Sequence, residues 1–257
     1  MQWGHTESLL LTQSYNSYAS HISNSIFLDE MTIKIAHLQL LPLLTGVQNV
    51  SLQEFRSMQG DTFKYTLICA ADGPFVEAAK ALGVEVIILE DLVREISPIK
   101  DLKTYLALRN IFKQHQFDIV HTHSSKTGFL GRLAARGLSQ TVHTVHGFAF
   151  PAAKSKWVRL LYQILERIAG KYTNKLICLN SDDAAFSISQ LNIPDAVIEI
   201  VPNGVDLERF TPSLESTSDV TDKPKVIFLG RLWEQKNPQS FVKAAISILK
   251  DLSLIHI

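Results

Sequence analysis

From Thr32 onward the chain alternates between short apolar runs and longer segments with helical spacing. The apolar runs are four to ten residues long, rich in Val and Ile, and read as buried strands. Thr32 to Leu41 is the first, followed by a turn over Pro42 to Gly46 and an amphipathic helix over Val47 to Met58. Phe63 to Ala70 is a second strand. Asp72-Gly73-Pro74 then opens a helix through Leu82, with Gly83 as its stop. Val84 to Leu89 is a third strand. Ser97 is placed to cap a helix that starts at Pro98 and runs to about His115. Two strands follow, Phe117 to His123 and Thr141 to Gly147, with a helical run from Phe129 to Arg136 between them. A long amphipathic helix over Lys154 to Lys171 leads to strands at Lys175 to Leu179 and Val197 to Val201. The helix between those two is capped from the Asn180-Ser181-Asp182-Asp183 cluster. Repeated β-α order predicts an α/β fold with a parallel sheet, helices on both faces and right-handed crossovers.

The polar residues that interrupt this pattern sit at strand ends. Phe117 to Val120 leads into His121-Thr122-His123, then Ser124-Ser125-Lys126-Thr127-Gly128, which reads as a turn. Thr141 to Val145 ends in His146-Gly147 in the same way, with His143 inside the run. Ligands of open α/β sheets bind beyond the C-terminal ends of strands, so these two ends are expected to offer His, Ser and Lys to one crevice. Four histidines invite a zinc reading. Against it, no Cys or carboxylate is spaced with them, and no metal is expected. Pro202-Asn203-Gly204-Val205-Asp206 reads as a turn with positive φ at Gly204.

The pattern fails in three places. Residues 1–30 are rich in Ser, Asn, Gln, Tyr and Thr, and lack the basic start and apolar stretch of a signal peptide. They read as a non-native or disordered extension ahead of a natural start at Met31. Residues 211–223 are rich in Ser, Thr, Asp and Pro and read as a linker between a domain over 31–210 and the start of another over 224–251. That second domain opens with a buried strand over Val226 to Leu229, a polar end over Gly230 to Asn237, and a helix over Pro238 to Lys250. Leu252 to Ile257 is what the codons CTG TCT CTT ATA CAC ATC encode. That string resembles a transposon-end adapter from sequencing libraries, so natural sequence is expected to end near Asp251.

Composition narrows the function classes. Hydrophobic residues make up 46% of the 257, and Lys+Arg and Asp+Glu are both 25. This is core-forming material with no charge excess to suggest nucleic acid. Cys69 and Cys178 each lie in an apolar run, so free buried thiols in a reducing cytoplasm are expected. No apolar run approaches the ~20 residues that span a bilayer, which leaves peripheral association with its cytoplasmic face.

Three segments together carry a family resemblance: His121 to Gly128 with His143 to Gly147, Asn203-Gly204-Val205-Asp206, and Gly230-Arg231-Leu232 with Lys236-Asn237. Over residues 31–250 the chain resembles retaining GT-B glycosyltransferases, group 1 or family 4 type, that build capsules and exopolysaccharides. The resemblance implies two Rossmann-like domains, the first taking an acceptor and the second a nucleotide-sugar donor. Here the second is only begun. It implies transfer of a sugar, with retention, from a UDP-sugar to a lipid-linked or glycan acceptor, with no metal or cofactor.

By the same resemblance Arg231 and Lys236 bind the donor and stabilise the departing diphosphate, which suits a planar guanidinium and a point charge. Surface ion pairs are the plain alternative for both. His146 is implied beside the donor sugar as the catalytic residue, with Gly147 letting the chain turn close to it. Gly46 is implied near the donor phosphate, although the family usually has paired glycines where this chain has Thr45-Gly46. His123, Ser125 and Lys126 are implied on the acceptor side. The family's two donor-domain glutamates would lie beyond Asp251, so the chain alone is expected to be inactive. A GT-B UDP-sugar epimerase and a non-catalytic domain that binds a phosphorylated glycan are the alternatives.

Overall fold

A computed structural model of the chain describes residues 32–148, 155–208, 210–211, 226–230, 232 and 234–249. The expected extension over 1–30, most of the linker, Arg231 and the tail over 252–257 lie outside the described residues. The chain divides into two compact units between Gly204 and Val205.

The first unit holds seven parallel strands: β1 (Ile33–Leu38), β2 (Phe63–Cys69), β3 (Glu85–Ile88), β4 (Ile119–His123), β5 (Gln140–Val145), β6 (Lys175–Cys178) and β7 (Ile198–Ile200). Their order across the sheet is β3-β2-β1-β4-β5-β6-β7. Six helices connect them: α1 (Gly46–Met58), α2 (Pro74–Ala81), α3 (Pro98–His115), α4 (Ser125–Ala135), α5 (Lys156–Gly170) and α6 (Ser181–Leu191). This is the doubly wound Rossmann-like arrangement, and its strand order reverses between β1 and β4. The parallel sheet expected from the β-α repeat is therefore present.

Alternation along each strand divides the core in two. On one face Ile35, Tyr65, Leu67 and Cys69 pack with Leu52 and Phe55 of α1 and Phe75, Val76 and Ala79 of α2. On the other, Ala36, Leu38 and Val120 pack with Leu108 and Phe112 of α3 and Leu130, Ala134 and Ala135 of α4. Each large side chain removed from water here contributes roughly 1.5–3 kcal/mol before entropy is counted. A third cluster joins Val145, Leu176 and Cys178 to Ala184 and Leu191 of α6. Both cysteines are free and buried.

Three local expectations are corrected. Helix α4 begins at Ser125, so Ser125 to Gly128 is its first turn and not a loop ahead of Phe129. Glycine and hydroxyl residues suggested a turn, but packing explains them. A Cβ on Gly128 would lie 2.5 Å from His143 Cε1, and one on Gly131 would lie 2.7 Å from Thr122 Cγ2. The two glycines let α4 lie close against β4 and β5. Ser97 stands at the N-cap of α3 without a side-chain capping bond; instead Asp101 Oδ2 accepts from the Ser97 backbone N–H at 3.1 Å. Gly204 does not take positive φ; the chain leaves β7 as irregular, exposed backbone. The predicted positions of Gly83 (φ 77) and the Asn180 cap are as expected, Asn180 Oδ1 accepting from Asp183 N at 2.8 Å.

In the second unit the helix α7 (Pro238–Leu249) is present, and Asn237 Oδ1 accepts from Ser240 N at its start at 3.2 Å. The strand expected over Val226 to Leu229 is not formed, and Val226, Ile227 and Leu229 are exposed. A strand needs a neighbouring edge to pair with, and these residues are paired with none among the described residues. Lys236 lies exposed in the short 3₁₀ turn Glu234–Lys236 that precedes α7.

Candidate functional site

The C-terminal ends of β1, β4 and β5 meet at the point where strand order reverses, where doubly wound sheets bind ligands. Register puts His37 of β1 beside His121 of β4, and His123 of β4 beside Thr144 of β5. Side chains two apart on a strand share a face, so His37, His121, His123 and Thr144 lie on the α1 side of the sheet. His146, just past β5, completes the row. His37 sits against His123 with ring centroids 4.2 Å apart, and His121 sits against His123 at the same distance. His123 Nδ1 is 3.0 Å from His146 Nε2.

Helix α1 supplies the acid of the cluster. Glu54 Oε1 lies 3.5 Å from His121 Nδ1, and Oε2 lies 4.0 Å from His37 Nδ1. The Tyr65 hydroxyl donates to the same carboxylate at 3.0 Å. Burial alone would raise the Glu54 carboxyl, but His121, then His37 and Tyr65, hold it at about 2. A further polar chain runs toward the start of α1. His37 Nε2 is 2.9 Å from Ser51 Oγ, Gln39 Nε2 donates to Ser51 Oγ at 2.8 Å, and Gln48 donates to Gln39 at 3.3 Å. His121 Nε2 is fixed by Thr144 Oγ1 at 2.8 Å.

His37, His123 and His146 are held neutral. Burial lowers His37 to about 3, with Glu54 opposing and His121 and His146 adding. His123 is held well below the usual imidazole range by burial and then by its histidine neighbours. His146, half-buried, falls to about 4 by burial and by His121, with Glu54 opposing. Neutral rings of this kind donate or accept hydrogen bonds at neutral pH but supply no positive charge.

One ring nitrogen from each of His37, His121 and His123 lies within 4.8 Å of the others. The His123 ring is tilted by 31° from His37 and by 42° from His121, each 4.2 Å away, and His37 and His121 are tilted by 72° at 4.9 Å. The three rings form a compact triangular imidazole cluster.

His143 does not join this cluster, contrary to the expected grouping of both strand ends. It pairs in register with Thr122 and faces α4. There Thr122 Oγ1 lies 2.9 Å from its Nδ1, and the Arg132–Glu166 ion pair is close by. Arg132 is fully buried, 2.7 Å from Glu166 Oε2.

The remaining candidates are placed as follows. Gly147 has φ 104 and open space around a Cβ, so backbone conformation rather than crowding calls for glycine there. Gly46 opens α1, exposed, with nothing within 4 Å of a Cβ. Ser125 is the first residue of α4. Lys126 is engaged by Asp101 Oδ1 at 2.6 Å and by the Glu95 carbonyl. His123 is 1% exposed. Arg231 lies outside the described residues. Sequence reasoning missed His37 and Glu54, and also Ser124, which carries φ 62 at the junction of β4 and α4. Such backbone strain in a non-glycine residue gathers at functional sites. An open depression of about 740 Å³, lined by Ile164, Ile168, Thr173 and Pro194 among others, lies instead at the N-terminal ends of β6 and β7. Nothing around it matches the chemistry of the strand ends.

A Rossmann-like sheet of this order, with polar side chains gathered where the order reverses, is the N-terminal architecture of GT-B glycosyltransferases. The chain belongs to Glycosyltransferase Family 4, whose sequence profile matches residues 44–209. It is 46% identical over 229 residues to an Escherichia coli UDP-Gal:alpha-D-GlcNAc-diphosphoundecaprenol alpha-1,3-galactosyltransferase, covering 85% of this chain and 59% of that protein. It is 23% identical over 193 residues to a Campylobacter jejuni N,N'-diacetylbacillosaminyl-diphospho-undecaprenol alpha-1,3-N-acetylgalactosaminyltransferase, covering 69% and 51%. Among solved structures, Anabaena HepE in complex with UDP and glucose superposes with a TM-score of 0.55 at 13% identity, over 71% of this chain and 48% of that one. The chain thus spans about half to three fifths of the length of these proteins.

Proposed function

We propose that this chain is the acceptor-side part of a glycosyltransferase that moves a hexose from a UDP-sugar to a sugar carried on a polyprenyl diphosphate, with retention of configuration. The supporting observation is 46% identity, over 85% of the chain, with a relative whose name states that reaction class. That likeness and the family membership favour a transferase over an epimerase or a passive glycan-binding domain. On this reading His146 meets the donor sugar at the end of β5, uncharged. Ser125 and the free N–H groups in the first turn of α4 meet an acceptor phosphate, as helix N-termini do. Lys126 joins them once it releases Asp101. Arg231 and Lys236 neutralise the diphosphate as it leaves.

The acceptor would bring the protein to a membrane surface, and α5 is suited to that. Trp157, Leu160, Leu161, Ile164 and Ile168 are exposed along it, beside Lys156, Arg159 and Lys171. An apolar stripe flanked by cations binds anionic bilayers. No helix among the described residues is long and apolar enough to cross one.

The test joins this chain to the C-terminal remainder of the Escherichia coli relative and supplies UDP-galactose and GlcNAc-diphosphoundecaprenol. Transfer with an α-linked product by the joined protein, and none by the chain alone, is expected. No transfer by the joined protein, or epimerised UDP-sugar as its product, would overturn the reading.

A further inference from the structure

His123 makes one hydrogen bond through its ring, to His146, and its other nitrogen is buried without a partner. Nδ1 of His123 and Nε2 of His146 are 3.0 Å apart, while His123 Nε2 has no hydrogen-bonding neighbour. Both rings are neutral, so each carries one proton, and only two arrangements are open. In the first, His123 donates from Nδ1–H to His146 Nε2. Its own Nε2 is then a bare lone pair in the core, and His146 keeps its proton on Nδ1. In the second, His146 donates from Nε2–H to His123 Nδ1. His123 must then carry its proton on Nε2, where no acceptor exists.

The two differ in what is left unpaired. A buried N–H without an acceptor is the rarer and more costly defect, because a donor has one direction in which to be satisfied; under-satisfied acceptors are tolerated more often. Here the orphan nitrogen belongs to a ring packed against both His37 and His121, each with its centroid 4.2 Å away, while those two lie 4.9 Å from each other. That packing is the surrounding in which Nε2 is buried without a partner.

We propose that His123 is a positioning residue: it donates from Nδ1–H to His146 Nε2 and so fixes His146 as the Nδ1–H tautomer. The one free polar atom of His146 is then a donor. Its Nδ1 makes no hydrogen bond among the described residues, and the ring is half-buried at the mouth of the strand ends. The ligand atom that meets it must be an acceptor, a hydroxyl or ring oxygen, and not a donor group such as an ammonium. That ligand consequence rests on the transferase reading; the tautomer does not.

The experiment uses this chain alone, uniformly ¹⁵N-labelled, with long-range ¹H–¹⁵N correlation of the imidazole rings at neutral pH. His146 is assigned by the loss of its signals in His146→Gln. Expected is a protonated Nδ1 and an unprotonated Nε2 on His146, and the same on His123. In His123→Asn the amide N–H stands where Nδ1–H stood, so His146 keeps the Nδ1–H form. In His123→Leu the donor is gone, and His146 reverts to the Nε2–H form that histidine prefers in water. A His146 that carries its proton on Nε2 in the unsubstituted chain overturns the proposal. So does an unchanged Nδ1–H form in His123→Leu. Because no nucleotide sugar is needed, this outcome is separable from failure of the transferase assay.

Discussion

The two faces of the sheet around β4 and β5 are both lined with buried polar groups, and they treat them differently. Facing α4 and α5, every charge is answered. Arg132 donates to Glu166 at 2.7 Å, to Thr173 at 3.1 Å and to the Gly128 carbonyl at 2.7 Å. Facing α1, the partners run short, and ring nitrogens of His37 and His123 are left without one. The closed face is sealed under helices, and its Arg132–Glu166–Thr173 network is satisfied from within, although the Thr104 and Ser139 hydroxyls on that side are buried without a partner. The open face ends at the strand termini, where His146 is only half-buried. Unmet polar capacity beside a solvent-facing edge is what a ligand site needs, whereas the same capacity beneath a helix would only cost stability.

The largest effect expected from this contrast is on the closed face. Arg132→Met leaves Glu166 buried and unpaired between α4 and α5. Removing one partner of a buried ion pair costs about 3–5 kcal/mol, to be read from the urea midpoint of the chain. Replacing both, Arg132→Met with Glu166→Leu, should recover most of that loss. If the double variant is as unstable as the single one, the pair is holding position rather than answering charge.

Acid should act on the buried histidines, most of which lie on the open face; His143 on the closed face is also held well below the usual imidazole range by burial and Arg132. His37 falls from 6.5 to about 3, and His146 to about 4, in the fold. A group whose pKa is depressed by folding binds its proton more readily when unfolded, so stability declines as pH drops below about 6.5 and continues to decline until the folded value is reached. Within that window each such histidine contributes a slope of about 1.4 kcal/mol per pH unit. Glu54 adds a second window, from 4.5 down to about 2, as its carboxylate is lost. Denaturation midpoints measured between pH 7 and pH 4 should fall steeply, and His37→Gln should flatten the slope. A flat profile would mean that the cluster is wetter than its burial indicates.

A glycine separates the faces on a smaller scale. Gly128→Ala sets a methyl 2.5 Å from His143 Cε1 and 2.9 Å from its Nδ1. Overpacking of this kind costs about 1–3 kcal/mol, and the melting temperature of the variant measures it. An unchanged melting temperature would show that α4 can lift from β5 freely.

The same contrast explains which parts of the molecule could be read from the chain. Strand-helix alternation from residue 32 to 201 was legible because buried parallel strands carry apolar runs, as at residues 67–69, 86–88 and 176–178, although β5 and β7 have polar residues inside them. The opposite placement of His143 was partly legible, since His143 and His146 are three apart and cannot share a strand face. That His37 and Glu54 complete the cluster was not. They lie 84 and 67 residues ahead of His121, and only the β1–β4 pairing and the docking of α1 bring them to it. The first turn of α4 was hidden because Ser125, Thr127 and Gly128 are turn residues by type. The close approach of Gly128 to His143, absent from any local window, is the tertiary contact that accounts for the glycine there. The strand expected at Val226 shows the reverse: an apolar local pattern does not by itself make a strand.

The smallest effect expected on stability is the one that best separates folding from function on the open face. Gly46 begins α1, exposed, with nothing within 4 Å of an added methyl, and it is not among the residues with positive φ. Gly46→Ala should therefore leave the chain as stable or stabilise it by about 0.5 kcal/mol, because alanine loses less backbone entropy on entering a helix. If glycine is there so that a donor phosphate can approach the backbone of the first turn, the methyl instead obstructs that approach. The joined enzyme would then show a raised KM for UDP-sugar with an unchanged melting temperature. An alanine variant with unaltered KM would mean that Thr45-Gly46 has given up the phosphate contact made elsewhere by paired glycines. The donor would then be held without the help of α1.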